Sequence, residues 1–226
     1  MRTQKWQLAY GLMLTGFLAG FQNAAAHSSD RDVCITVHVR NYAGVDAKTL
    51  KDAERIAAAI FSKAGVESRW IDESDEPSPP QNRDADSEDQ TPTNLSHIGL
   101  HILSPDMAGR LTLPDNVMGL SPGTGPDRQF VYVFHKRAKE LALRQVTAVA
   151  KEEISRPATL NQILGAIIAH EIGHILLNRS SHTETGIMRG TWDLTNLSDI
   201  AYESLFFTSR QAVVIRAEVV RRNAAR

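Results

Sequence analysis

Cysteine is almost absent: Cys34 is the only one in 226 residues. That excludes an intramolecular disulfide framework and any zinc or redox site built on a CxxC pair. A surplus of charge is lacking too, with 25 Lys+Arg against 26 Asp+Glu and a formal net charge of -1. Without a basic excess to neutralise a phosphate backbone, no nucleic-acid partner is expected. Nor is the apolar stretch Leu8 to Phe21 as long as the ~20 residues that span a bilayer. There is no internal repeat. What remains, 42% hydrophobic and 23% charged, is ordinary globular composition at a length suited to one domain.

The amino terminus has the order of an export signal. Arg2 and Lys5 precede the apolar stretch, and Ala24-Ala25-Ala26 supplies a small-residue cleavage site before polar His27. Residues 1–26 are therefore expected to be a signal peptide. Residues 27–226 would form one domain, exported to a periplasm or the extracellular space and without a stable membrane span. No disulfide staples it, so stability must come from one continuous core. Cys34, within the apolar run Val33 to Val39, is expected to be a small buried hydrophobe.

Residues 33–39 are β-branched and half-alternating, as in a strand. From Thr49 to Ala64 apolar residues recur at three- and four-residue steps, which predicts a helix stopped by Gly65. A second strand follows at 66–71, giving a β-α-β unit with parallel strands. Residues 72–94 are rich in acid and proline and read as a solvated, disordered insertion loop. Further strands are predicted at 97–103 and 130–134, with a short edge strand at 116–121 and a helix at 138–149. His97 and His101 fall on the polar face of their strand. Ser198 to Arg222 is expected to form one C-terminal helix, with Ser198 as N-cap. Its apolar stripe would be Ile200, Leu205, Phe206, Val213, Val214 and Val219, and its arginines a solvated basic face.

The chemistry is concentrated after Thr159. Thr159-Leu160-Asn161-Gln162 is a capping box opening a helix that is apolar on most sides. Inside it lies His170-Glu171-Ile172-Gly173-His174, an HExxH pattern expected by chance only about 0.015 times in such a chain. Residues four apart share a helix face, so both imidazoles can reach one ion. Burying two histidines and a glutamate in so apolar a helix is costly unless a metal satisfies them. Catalytic zinc takes three protein ligands. His182 is favoured as the third, because Asn178 can adopt the left-handed turn that sends the chain back under the helix. Glu184 and Glu203 are its rivals.

His170-Glu171-x-x-His174, followed by His182 and Gly186-Ile187-Met188, resembles the metzincin clan of zinc metallopeptidases. The clan pattern HExxHxxGxxH places a glycine and a histidine where this chain has Leu177 and Ser180, so the turn here is two residues longer. The resemblance implies zinc held by His170, His174 and His182, with Met188 in a methionine turn beneath the metal. It implies an α+β, zincin-like fold: a mixed twisted sheet with an antiparallel edge strand, a backing helix and the HExxH helix. Met118 to Gly123 is loosely similar to the edge strand on which such enzymes lay an extended peptide.

The function expected is that of a monomeric zinc endopeptidase acting on a peptide or protein substrate. Zinc would lower the pKa of its water, and Glu171 would take the water's proton and deliver it to the leaving amine. Two other classes share the ligand set: a catalytically silent metal-binding protein of the same fold, and a zinc hydrolase of a non-peptide substrate.

Overall fold

The computed structural model describes residues 33–73, 95–123, 125, 128–151, 155–178 and 182–225. The expected signal peptide and the acidic loop beyond Glu73 lie outside the described residues. Chain order runs β1 (Cys34–Asn41), α1 (Ala47–Lys63), β2 (Glu67–Asp72), β3 (His97–Leu103), α2 (Pro105–Gly109), β4 (Gly119–Leu120) and β5 (Phe130–Phe134). It continues as α3 (His135–Ala150), α4 (Leu160–Leu176), α5 (Leu194–Ala201) and α6 (Ser209–Ala224).

Five strands form one mixed sheet in the order β2-β1-β3-β5-β4. β1, β2, β3 and β5 pair parallel, and the two-residue β4 pairs antiparallel with β5 at the edge. This is the α+β arrangement expected, with the edge strand shortened between Pro114 and Pro122. Alternation decides the two faces. Ile35, Val37, Val39, Ile98, Leu100, Ile102, Val131 and Val133 all point into the core beneath α1 and α4. The other face is polar: His38 bonds Glu73 at 2.6 Å and His97 at 2.9 Å, and His101 sits among the rings of Tyr42, Phe130 and Tyr132. Cys34 lies half-buried on that side. It is not the buried hydrophobe expected, because Ile35 takes the inward position.

α1 begins at Asp46, whose side chain accepts from the Thr49 backbone N–H, and ends against Gly65 at a φ of 75°. Its apolar stripe meets α4, which is buried along its length from Gln162 to Leu176. Gly165 permits the approach: a Cβ there would lie 2.6 Å from the Ala53 carbonyl oxygen and 2.8 Å from Ile56 Cβ. The Thr159–Gln162 capping box forms as read.

The C-terminal region differs from the expectation of one helix. Asp193 and Thr208 are the N-caps, each in its own capping box, and Ser198 lies inside α5. Glu203 takes a φ of 53° and breaks the run, freeing Leu205 and Phe207 to enter the core. Val213 and Val214 are consequently exposed, and Ile215 and Val219 form the buried stripe. The basic face is not simply solvated either. Arg222 is fully buried, donating to the carbonyls of Leu95 and Arg128 at 2.9 Å each and to Glu218 at 2.8 Å.

Candidate metal centre

α4 presents His170 and His174 one turn apart on the same face, with their Nε2 atoms 3.1 Å from each other. Asn178, at a φ of 48°, turns the chain back after the helix, as its side-chain type suggested. The returning segment brings His182 over the pair, with ring centroids 5.3 Å from His170 and 5.0 Å from His174. One ligand atom from each of the three lies within 4.8 Å of the others, so the three could hold a metal ion. No other such group occurs among the described residues. The rival carboxylates are elsewhere. Glu203 accepts from Gln162 at the opposite end of α4, and Glu184 lines a separate cleft.

The site is shaped for a cation's needs. Nδ1 of His170 donates to the Ile187 carbonyl at 2.7 Å, leaving the lone pair of Nε2 facing the other imidazoles. Burial lowers the pKa of His170 to about 4; the bond to Ile187 opposes that shift, while His174 and His182 add to it. The ring is therefore neutral near pH 7, the form that ligates. An all-imidazole donor set suits zinc among the divalent metals. The next residue, Met188, is buried, and its sulfur sits where a side chain on Gly173 would otherwise be: a Cβ there would come within 2.7 Å. Gly190 plays the same part for His182, with 2.8 Å between a built Cβ and Nδ1. Trp192 stacks edge-on against His170, its ring centroid 5.8 Å away.

Glu171 is buried beside the histidines and packs on the edge strand. A Cβ on Gly119 would lie 2.5 Å from its Cγ and 2.6 Å from its Oε1. Burial pushes its pKa up to about 8, with Ser121 acting slightly against it. A dication nearby would draw the value back down. Two backbone carbonyls of α4 are also claimed from this side: Ser121 Oγ donates to the Glu171 oxygen and Arg128 to that of His174, both at 2.7 Å.

Together these residues line a cavity of about 510 Å³, open along β4 on one side and walled by α3 and Trp192 on the other. Sequence reasoning found the three histidines, Glu171 and Met188. It placed Gly119 and Ser121 only in the edge strand and gave no role to Arg128, Gly173 or Gly190, whose contacts no helix or strand spacing announces.

Neither a protein-family model nor a curated protein matches the chain. Among solved structures it is similar to the crystal structure of a zinc-dependent peptidase from Methanocorpusculum labreanum (strain Z). The two are 16% identical, the match covers 79% of this chain and 99% of that one, and the TM-score is 0.47. So distant a likeness assigns no activity to this chain. No helix among the described residues is long and apolar enough to cross a membrane.

Proposed function

We propose that the protein is an exported zinc endopeptidase of zincin-like fold, with His170, His174 and His182 as metal ligands and Glu171 as general base and acid. The observation that carries this reading is the convergence of three imidazole nitrogens within 4.8 Å, directly beside a buried glutamate. A binding protein has no use for that carboxylate. When bound, zinc supplies a Lewis acid for the scissile carbonyl and a water of lowered pKa.

The chain's own residues do the rest. β4 offers a sheet edge along which an extended peptide can pair by backbone hydrogen bonds. Glu171, held against that same edge by its fit to Gly119, takes the proton from the attacking water. It then delivers that proton to the amide nitrogen as the C–N bond breaks, so that a neutral amine leaves. The Ile187 carbonyl fixes the ring of His170, and Met188 beside it packs against Gly173 of the same helix. Export rests on the basic, apolar, small-residue order of residues 1–26.

The test is digestion of a denatured-protein or peptide library by the mature chain, with and without a chelator. Cleavage that the chelator abolishes and zinc restores is the expected result. Glu171→Gln should retain the metal and lose at least about 10²-fold in turnover. A fully active Glu171→Gln variant, or a library left intact by the zinc-loaded protein, would overturn the reading.

A further inference from the structure

The cavity that holds the imidazoles carries more basic than acidic groups on its walls. Glu171 is its only carboxylate among the described lining residues, and three guanidinium groups face it: Arg128, Arg144 and Arg189. Arg189 is engaged, donating to Asp193 at 2.8 Å and to Asn196 at 2.9 Å. Arg128 is tethered to the His174 carbonyl, its Nε buried without an acceptor and with no carboxylate partner among the described residues. Arg144 makes neither a hydrogen bond nor an ion pair among the described residues, and it is exposed. It stands three residues after Leu141 on α3, so the two share the helix face that lines the cavity. Leu141 and, across from it on α4, Ile167 make the wall apolar.

A substrate group entering between α3 and α4 thus meets a free cation at the exposed rim and hydrocarbon beyond it. The unbalanced charge of Arg128 adds to the same field, and a narrow cleft of low dielectric concentrates it. On the peptidase reading above, on which this inference rests, we propose that Arg144 is a specificity residue. It selects peptides that carry a carboxylate close to the scissile bond. Two sources offer that group, an aspartate or glutamate side chain and the free carboxyl end of a short peptide.

Both are distinguished with one peptide scaffold, acetylated and amidated, that carries Glu, Gln or Lys in turn at each position around the cleaved bond. A second set has a free carboxyl terminus. The zinc-loaded full chain should cleave the Glu peptide about fivefold faster in kcat/KM than the Gln peptide at one position, with Lys slower still. Arg144→Glu should invert that order, Arg144→Lys should keep it, and metal content should be the same in all. Preference confined to the free-ended set, and lost in Arg144→Glu, assigns the contact to the terminal carboxylate. Equal rates for Glu, Gln and Lys and for both kinds of end, or a preference that survives in Arg144→Glu, overturn the proposal and leave the peptidase reading standing. No cleavage of any peptide overturns both.

Discussion

At the scale of single residues, the candidate site sets two buried imidazoles and a buried carboxylate beside an exposed third imidazole. His170 keeps its ring neutral through burial and donates its remaining N–H to the Ile187 carbonyl. His182 is different, being exposed and delivered by a returning segment. Removing it should therefore leave the fold intact: His182→Ala is expected to weaken zinc binding at least about 10²-fold in competition with a chromophoric chelator. Glu203→Ala, at the far end of α4, should leave it unchanged. Glu171 carries the pH dependence. Its pKa in the folded, metal-free protein stands near 8 against an ordinary 4.5, so the folded state binds the proton more tightly. The stabilisation is complete below about 4.5 and is lost as pH rises through 8. Metal-free Glu171→Gln should accordingly melt well above the metal-free parent at pH 9, and the gap should close by pH 5. The HExxH trio was legible in the sequence because helical spacing alone brings two histidines together. His182 was legible because a turn-forming stretch of a few residues leaves a returning chain little choice.

Elements supply what single residues cannot. α4 is pinned from one side by the strand edge, through Ser121, Arg128 and Gly119, and from below by Ile187 and Met188. The contact of Gly119 with Glu171 joins residues 52 positions apart, and no local pattern announces it. A methyl group on Gly119 must push the carboxylate aside. Gly119→Ala is thus expected to lower kcat about 10- to 100-fold with zinc affinity unchanged, which steady-state kinetics and metal titration would separate. The strands, α1 and α3 could be read because each obeys one period, whereas the five-residue α2 is too short to show one. The C-terminal region could not, because its apolar residues run on at helical spacing through Glu203. Only the packing of Leu205 and Phe207 decides that the chain breaks there. Asp193 and Thr208, each followed three residues later by Asn or Gln, were the signals that mark the two true starts.

For the whole molecule, one core joins the β-α-β opening to everything that follows, and α1 against α4 is its principal helix contact. The metal would act as a further tie across its lower half, since it binds the folded state alone. At a thousandfold excess over its Kd that contributes about 4 kcal/mol, or roughly 8–16 °C in melting temperature for a chain of this size. Calorimetry before and after chelation measures it, and an unchanged melting temperature would count against His170, His174 and His182 as ligands. The polar sheet face at His97 and His101 was visible in the alternation of β3, but its links to His38, Glu73 and the aromatic rings depend on neighbouring strands.

The seat of His170 is itself a late arrival. The Ile187 carbonyl that orients it belongs to a segment held by the Phe206 carbonyl at 3.0 Å and by Gln211, which donates to Thr183 at 3.2 Å. Both partners come from the last stretch of the polypeptide, long after the sheet has been laid down. A nascent chain not yet made as far as residue 211 therefore owns the two helical histidines without the clasp that aims them. The candidate site is therefore assembled only once residues 206–211 have folded against the segment that carries Ile187.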